Sequence, residues 1–295
     1  MRNTAAVVVT YNRKELLSSC ISCLLSQEYP CDILIIDNAS TDGTEEMLQP
    51  LIDAGKIRYH NTGENLGGAG GFAEGMKTAL KMGYEYLWLM DDDTEVHTDA
   101  LKELFDADRR LGGVYGFLSG VAYFRETDEP CRMNIQRTDW HTKVSDYESP
   151  EVPVVMATFV SFFVKAETVR RFGLPIREFF IWADDLEYSR RISRELPCYM
   201  VPSSRADHMM KSNEKVGIEQ ESEDRLWRYR CLYRNERYLY RREGMAGRFY
   251  LLLRICYHSY KVLAHAEFGK AEKLKTIWRS YRDGRHFHPV TEYPD

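Results

Sequence analysis

The chain has 295 residues, of which 44% are hydrophobic and 29% charged, with a formal net charge of −5. That length can bury a substantial core, as one large domain or as a domain with an appendage, and no apolar run approaches the ~18 residues of a membrane-spanning helix. Ala5–Val9 is too short for a secretory signal core, and seven irregularly spaced cysteines argue against a disulfide framework, so the expected address is cytoplasmic.

Through the first 120 residues apolar strands alternate with helical patterns, which predicts an α/β fold: a parallel sheet with covering helices. Ala5–Thr10 reads as the first strand and Arg13–Gln27 as a helix. Cys20 and Cys23 fall within that helix's apolar pattern with Leu16, Leu17 and Leu24, so they read as packed thiols rather than a redox pair. Ile33–Ile36 is the second strand, a helix opens near Asp42, and Ile57–His60 is the third strand. Thr62–Gly71 reads as a glycine-rich loop, Phe72–Met82 as a helix and Tyr86–Met90 as a strand. A helix near Thr98–Leu111 follows. Beyond it the pattern loosens, with Val154–Val164 the most strand-like stretch, Asp185–Arg194 helical and Pro197–Val201 a short strand. Glu219–Tyr281 reads as two or three helices, and a boundary near Gly217 divides residues 1–217 from a region 218–295.

The charged motifs cluster at strand ends. Asp91, Asp92 and Asp93 end an apolar strand, and a second acidic pair, Asp184–Asp185, follows Trp182 and precedes Glu187. Asp207–His208 comes shortly after. Carboxylates this close repel one another and are costly to bury unpaired, so the cluster implies a bound cation or a solvated turn. A position at the carboxyl end of a strand in an open α/β sheet favours the cation, because ligands bind in that crevice. The other strand ends carry Thr10, Tyr11, Asn12 and Arg13, then Asp37–Asn38, then Asn65 with its glycines. A hydroxyl, an arginine, an acid for base or ribose and a metal for the diphosphate suit a nucleotide. Taken singly, Asp37–Asn38 could be only a turn and Ser40 or Thr41 only a helix cap.

Gly68-Ala69-Gly70-Gly71-Phe72-Ala73 satisfies the dinucleotide fingerprint, with Asp91 about twenty residues on. Several residues separate His60 from Gly68, however, where the fingerprint needs a tight strand-to-helix turn. The first strand ends in Thr10-Tyr11-Asn12-Arg13, with no glycine to admit a pyrophosphate and no phosphate loop of the nucleotidyltransferase kind.

Val8–Arg13, Ile35–Gly43, the Asn65–Gly71 loop and Leu89–Asp93 together resemble the inverting family-two glycosyltransferases of GT-A fold, across residues 5 to about 210. Within that family, the glycine loop followed by Phe72 and the Trp182–Glu187 segment are most similar to the bacterial galactofuranosyltransferases. The resemblance implies a donor of UDP-galactofuranose and a divalent metal, Mn or Mg, held by Asp91, Asp93 and His208. It makes Asp185 the catalytic base, and residues 1–217 the catalytic domain. Asp91 and Asp92 join Thr10–Arg13, Asp37 and Asn65 as expected donor contacts.

The chemistry is consistent with that assignment. Two oxygen donors and an imidazole are compatible with Mn, and a cation neutralises a departing diphosphate. A carboxylate across the sugar can take the acceptor's proton, and one base with in-line attack implies inversion. Asp184 is then expected to hold an acceptor hydroxyl and Trp182 to offer a flat face to a sugar ring. The competing reading is that Asp184 and Asp185 merely open a helix, where its dipole favours acids. Two alternatives remain open: a rhamnosyltransferase using dTDP-rhamnose, and a non-catalytic scaffold that binds nucleotide.

From Arg225 to Asp295 there are 16 Lys plus Arg against seven Asp plus Glu, interleaved with aromatics. Such a tail could lie on the anionic inner face of a membrane, where a polyprenyl-linked acceptor would be found. Alternatively, Trp227–Tyr240 is an amphipathic helix packed on the catalytic domain, and both can hold at once. No recognised nucleic-acid module accompanies the basic residues.

Overall fold

The computed structural model describes residues 3–214 and 216–294. Strand β1 (Thr4–Thr10) is buried along its whole length, as expected for a strand covered on both faces. Period-two alternation sorts its side chains. Ala5, Val7 and Val9 join one apolar layer, and Ala6 and Val8 join the other. Chain order continues α1 (Lys14–Leu25), β2 (Asp32–Asp37), α2 (Thr44–Asp53), β3 (Arg58–Asn61), α3 (Gly67–Lys81), β4 (Tyr86–Asp91), β5 (Thr94–Val96) and α4 (Ala100–Arg110). Leu17, Cys20, Ile21 and Leu24 of α1 and Leu101, Leu104 and Phe105 of α4 cover one face, and Phe72 and Met76 of α3 cover the other. Cys20 is therefore a core thiol, and Cys23 packs beside it.

The remaining elements are β6 (Phe117–Phe124), β7 (Glu129–Pro130), β8 (Val152–Pro153), β9 (Phe162–Lys165), α5 (Ala166–Phe172), α6 (Asp184–Ser193), β10 (Tyr199–His208), α7 (Leu226–Arg241), α8 (Gly244–His265) and α9 (Lys270–Asp283). Among the described residues the strands form one sheet in the order β3-β2-β1-β4-β9-β6-β10-β5, with β7 beside β6 and β8 beside β10. β1 to β4 are mutually parallel, and β9 runs antiparallel to both β4 and β6. β1 sits between β2 and β4, so the chain's lateral direction reverses at its carboxyl end. In open α/β sheets that reversal opens a ligand crevice.

Three sequence expectations are corrected. The glycine run is not a loop up to Gly71, because α3 begins at Gly67. Glycine is a poor helix former, but here it permits close approach. A Cβ at Gly71 would stand 2.6 Å from Val9 Cγ1, and one at Gly75 would stand 2.5 Å from Val7 Cγ1. Val154–Val164 is not one strand. Only its last residues enter β9, and Val154, Met156, Ala157, Phe159 and Val160 are buried without forming a strand, so apolarity there reflects packing. The strand expected to end at Val201 runs on to His208 across a register shift between Met200 and Arg205, an irregularity that accommodates Pro202.

The last three helices share their own apolar cluster, including Tyr229, Tyr233, Leu251, Ile255 and Ile277. Trp227–Tyr240 falls in α7, whose Tyr229, Tyr233, Tyr238 and Tyr240 are buried, so the packed reading of that segment is observed. Arg190 on α6 forks onto Glu243 at 2.8 and 2.9 Å, and the chain end returns to α3 through Lys77 and Glu292. No helix among the described residues is long and apolar enough to cross a membrane.

Candidate active site

The carboxyl ends of β1 and β4 are tied together by charge. Thr10 Oγ1 donates to Asp92 Oδ2 at 2.8 Å, and Arg13 Nη1 lies 3.2 Å from Asp92 Oδ1 and 2.7 Å from Asp93 Oδ2. Thr10 and Asp92 are buried, whereas Tyr11 and the Arg13 side chain are open to the crevice. Burial pushes the Asp92 carboxyl up to about 6 even against Arg13. Thr10 and Asp92 thus stand in the wall of the site, and Arg13 stands at its surface.

Asn12 adopts a left-handed φ of 54° and staples the neighbouring loop: its amide donates to Ser40 Oγ at 2.9 Å, and its Oδ1 accepts from the Thr41 amide at 2.7 Å. Asp37 is buried, with Oδ1 taking the Ser40 amide and Oδ2 the Tyr59 hydroxyl at 2.7 Å. Asn65 is exposed and accepts the Gly67 amide at 2.9 Å, which opens α3 with an Asx turn. Among the expected nucleotide contacts, then, Thr10, Asp37 and Asp92 are buried, Asn12 ties the neighbouring loop at the surface, Asp91 is half-buried, and Tyr11, Arg13 and Asn65 are exposed.

His208 reaches the triple acid through strand pairing. Asp92 and Asp93 turn the chain from β4 into β5, and the antiparallel register of β5 with β10 sets His208 opposite Thr94. His208 Nε2 lies 3.0 Å from Asp93 Oδ1, and Nδ1 lies 3.0 Å from Asn134 Oδ1, so Nδ1 is the donor to Asn134. Burial opposes charge on the ring, but the bond to Asp93 and the fields of Asp93 and Asp91 prevail and lift His208 to about 10. Burial, followed by the Asp93 charge, pushes Asp91 up to about 7. Burial also acts upward on Asp93, yet His208 and Arg13 hold it below the usual carboxylate range.

Asp91, Asp93 and His208 are adjacent but, among the described residues, no three such groups are closed into a metal-ligating cluster. Asp93 and His208 bond each other instead. The donor set still fits a divalent ion chemically: two carboxylates, and an imidazole whose second nitrogen is oriented by Asn134, as metal-binding histidines typically are.

Asp184 and Asp185 open α6 after a turn in which Phe180, Trp182 and Ala183 all have positive φ. Burial raises Asp185 to about 6, and the Leu186 amide donates to its Oδ1 at 2.7 Å. Asp184 is pushed well above the carboxylate range by burial, by Asp185 and by the charge of Asp91. Asp184 therefore lies within the field of Asp91. Trp182 meets Tyr229 edge to face, with ring centroids 5.2 Å apart. Glu187 is buried and paired with Arg191 at 2.9 Å, a structural role.

Sequence reasoning missed Asn134, Arg137 and Asn235. Arg137 sets a positive field at Asp185. Asn235 is fully buried in the middle of α7 and bonds the carbonyls before Asp184. A polar amide on the apolar face of a helix was a readable signal, since asparagine is disfavoured there without a partner.

Residues 5–169 match the family model described as glycosyl transferase family 2. The chain belongs to that family, and its fold is GT-A. Galactofuranosyltransferase GlfT1 of Mycolicibacterium smegmatis is 31% identical over 211 residues, covering 64% of this chain and 65% of that protein, so the match spans just under two thirds of that relative. Among solved structures, a Pyrobaculum calidifontis mannosyltransferase in complex with GDP-Man and Mn2+ aligns with TM-score 0.57 at 14% identity, over 98% of this chain and 77% of that one. GalNAc-T7 with UDP, GalNAc and Mn2+ aligns with TM-score 0.67 at 15% identity, over 97% and 56%. These two likenesses show a common fold. Asp184, Asp185, His208 and α7 lie beyond the segment that carries the family match.

Proposed function

We propose that this chain is an inverting glycosyltransferase that moves galactofuranose from UDP-galactofuranose to a hydroxyl of a glycan or lipid-linked acceptor, in bacterial surface polysaccharide synthesis. The observation that carries the reading is the cluster at the carboxyl end of β4, where Asp93 bonds His208 at 3.0 Å and Arg13 at 2.7 Å, with Asp184 in the field of Asp91. The likeness to galactofuranosyltransferase GlfT1 supports the choice of sugar.

On the donor side, Asp91, Asp93 and His208 would hold a divalent ion, whose chemistry when bound is to neutralise the departing diphosphate. Arg13, half exposed beside Asp93, supplies a further positive charge at that position. On the acceptor side, Asp185 titrates near 6, so at neutral pH it is mostly ionised and can take the acceptor's proton. Asp184, pushed well above the usual carboxylate range by burial, by Asp185 and by Asp91, stands beside that base as a group to hold an acceptor hydroxyl. Trp182 borders the same side.

A membrane-facing C-terminal region is part of this reading. α7 is packed inward, and the outward side of α8 is apolar instead: Met245, Phe249, Leu253, Tyr257, Tyr260 and Leu263 are exposed along about 33 Å of helix. Arg237, Arg241 and Arg248 lie in one another's field near its start, which suits an anionic leaflet carrying a lipid-linked acceptor.

Calorimetric titration with UDP and with dTDP, each with and without Mn, tests the donor assignment. The expected result is Mn-dependent binding that prefers UDP. Preference for dTDP would favour the rhamnosyl donor, and no binding of either by folded protein would favour a scaffold.

A further inference from the structure

The backbone that delivers the Asp184–Asp185 pair is held in a conformation its own residues disfavour. Phe180, Trp182 and Ala183 have φ of 63°, 67° and 66°, and none is glycine. Such a turn persists only where its surroundings over-determine it. One anchor is α3, where the Phe180 carbonyl accepts the Ala69 amide at 3.2 Å and lies so close to Gly67 that a Cβ there would stand 2.3 Å from its oxygen.

The other anchor is α7, from the C-terminal region. Asn235 is fully buried, and its Nδ2 lies 3.0 Å from the Phe179 carbonyl, 3.2 Å from that of Ile181 and 2.9 Å from that of Trp182. Its Oδ1 accepts from Arg234 Nε at 3.0 Å, which settles which way the amide faces. Arg234 Nη2 donates to the Glu178 carbonyl at 2.6 Å and to that of Phe179 at 3.2 Å. Two adjacent side chains of one helix thus bind four of the carbonyls that lead into α6.

We propose that Asn235, with Arg234 beside it, is a positioning residue for glycosyl transfer: it locks the left-handed turn Phe180–Ala183 so that α6 starts where Asp185 meets the acceptor hydroxyl. The inference rests on the reading of Asp185 as the base. A donor of this size is required, because aspartate offers no N–H and alanine removes the side-chain donor from the Ile181 and Trp182 carbonyls. It also gives the C-terminal helices a part in the reaction that the sheet domain alone could not play.

The test compares Asn235→Ala and Arg234→Gln with the native chain in transfer from UDP-galactofuranose, in Mn–UDP affinity and in hydrogen exchange of the 178–183 amides. Asn235→Ala is expected to lower kcat by about 10²-fold, the scale of a misplaced catalytic group, with KM for the donor and Mn–UDP affinity unchanged. Amide exchange should rise in 178–183 and stay native in 86–93. Arg234→Gln is expected to show a smaller loss of the same kind, and it decides alone if Asn235→Ala does not fold. Native kcat in Arg234→Gln, or in a folded Asn235→Ala protein, would overturn the proposal. So would an equal loss of kcat and Mn–UDP affinity, which marks a merely structural role. Asp185→Asn, assayed in parallel, separates the two readings: if it retains transfer, the base assignment fails; if it is inactive while the α7 variants are native, only the positioning role fails.

Discussion

Thr10 and Asp92, 82 residues apart in sequence, meet through a 2.8 Å hydrogen bond in which the threonine hydroxyl donates to a buried carboxylate. The bond joins the ends of β1 and β4 beneath the proposed diphosphate position. Thr10→Val keeps the shape of the side chain but removes the donor from a carboxylate that burial already disfavours. The expected loss is about 1–3 kcal/mol, measured by urea unfolding. An unchanged unfolding midpoint would show that Arg13 suffices.

Gly75 and Gly68 lie on the same helix and should respond oppositely to alanine. A Cβ at Gly75 would overlap Val7 and Ile36, whereas one at Gly68 meets nothing within 4 Å. Gly75→Ala is expected to cost about 1–3 kcal/mol through overpacking. Gly68→Ala should be neutral or stabilising by about 0.4–1 kcal/mol. Thermal unfolding of the two variants makes the comparison, and equal effects would contradict the close approach of α3 to the sheet.

Asp185 ties activity to pH. Its folded-state pKa is raised to about 6 by burial, so its protonated form is the one folding favours. The stability contribution is therefore present in acid, below the ordinary carboxylate range, and is lost as pH rises through about 6. Activity runs the other way, since only the ionised carboxylate accepts a proton. kcat is expected to fall tenfold per pH unit below about 6, and Asp185→Asn should unfold at a higher temperature than the native chain at pH 7 while losing transfer. A kcat flat down to pH 5 would count against Asp185 as base.

Much of this was legible in the residues themselves. The apolar runs located β1, β2 and β4 because doubly covered strands are continuously apolar, and acids at their carboxyl ends marked the crevice. The start of α3 was hidden because helix propensity argues against glycine, and only the positions of Val7 and Val9 explain it. The reach of β10 to His208 was hidden by Pro202 and a polar run. Asn235 was readable as a polar residue on the apolar face of α7, but its backbone-carbonyl partners leave no signature in sequence.

The exposed side of α8 should drive binding to anionic vesicles. Flotation with phosphatidylglycerol-containing liposomes is expected to recover the protein, and high salt or Phe249→Glu with Leu253→Glu should release it. No association at low salt would rule out a membrane-facing α8.

The most direct measurement is the anomeric configuration of the product, read by NMR after incubation with UDP-galactofuranose, Mn and a synthetic acceptor. The expected product is a transferred galactofuranose whose anomeric configuration is inverted from the donor's, formed by the native chain and not by Asp185→Asn. A product of retained configuration, or no transfer by a folded protein that binds Mn–UDP, would contradict it.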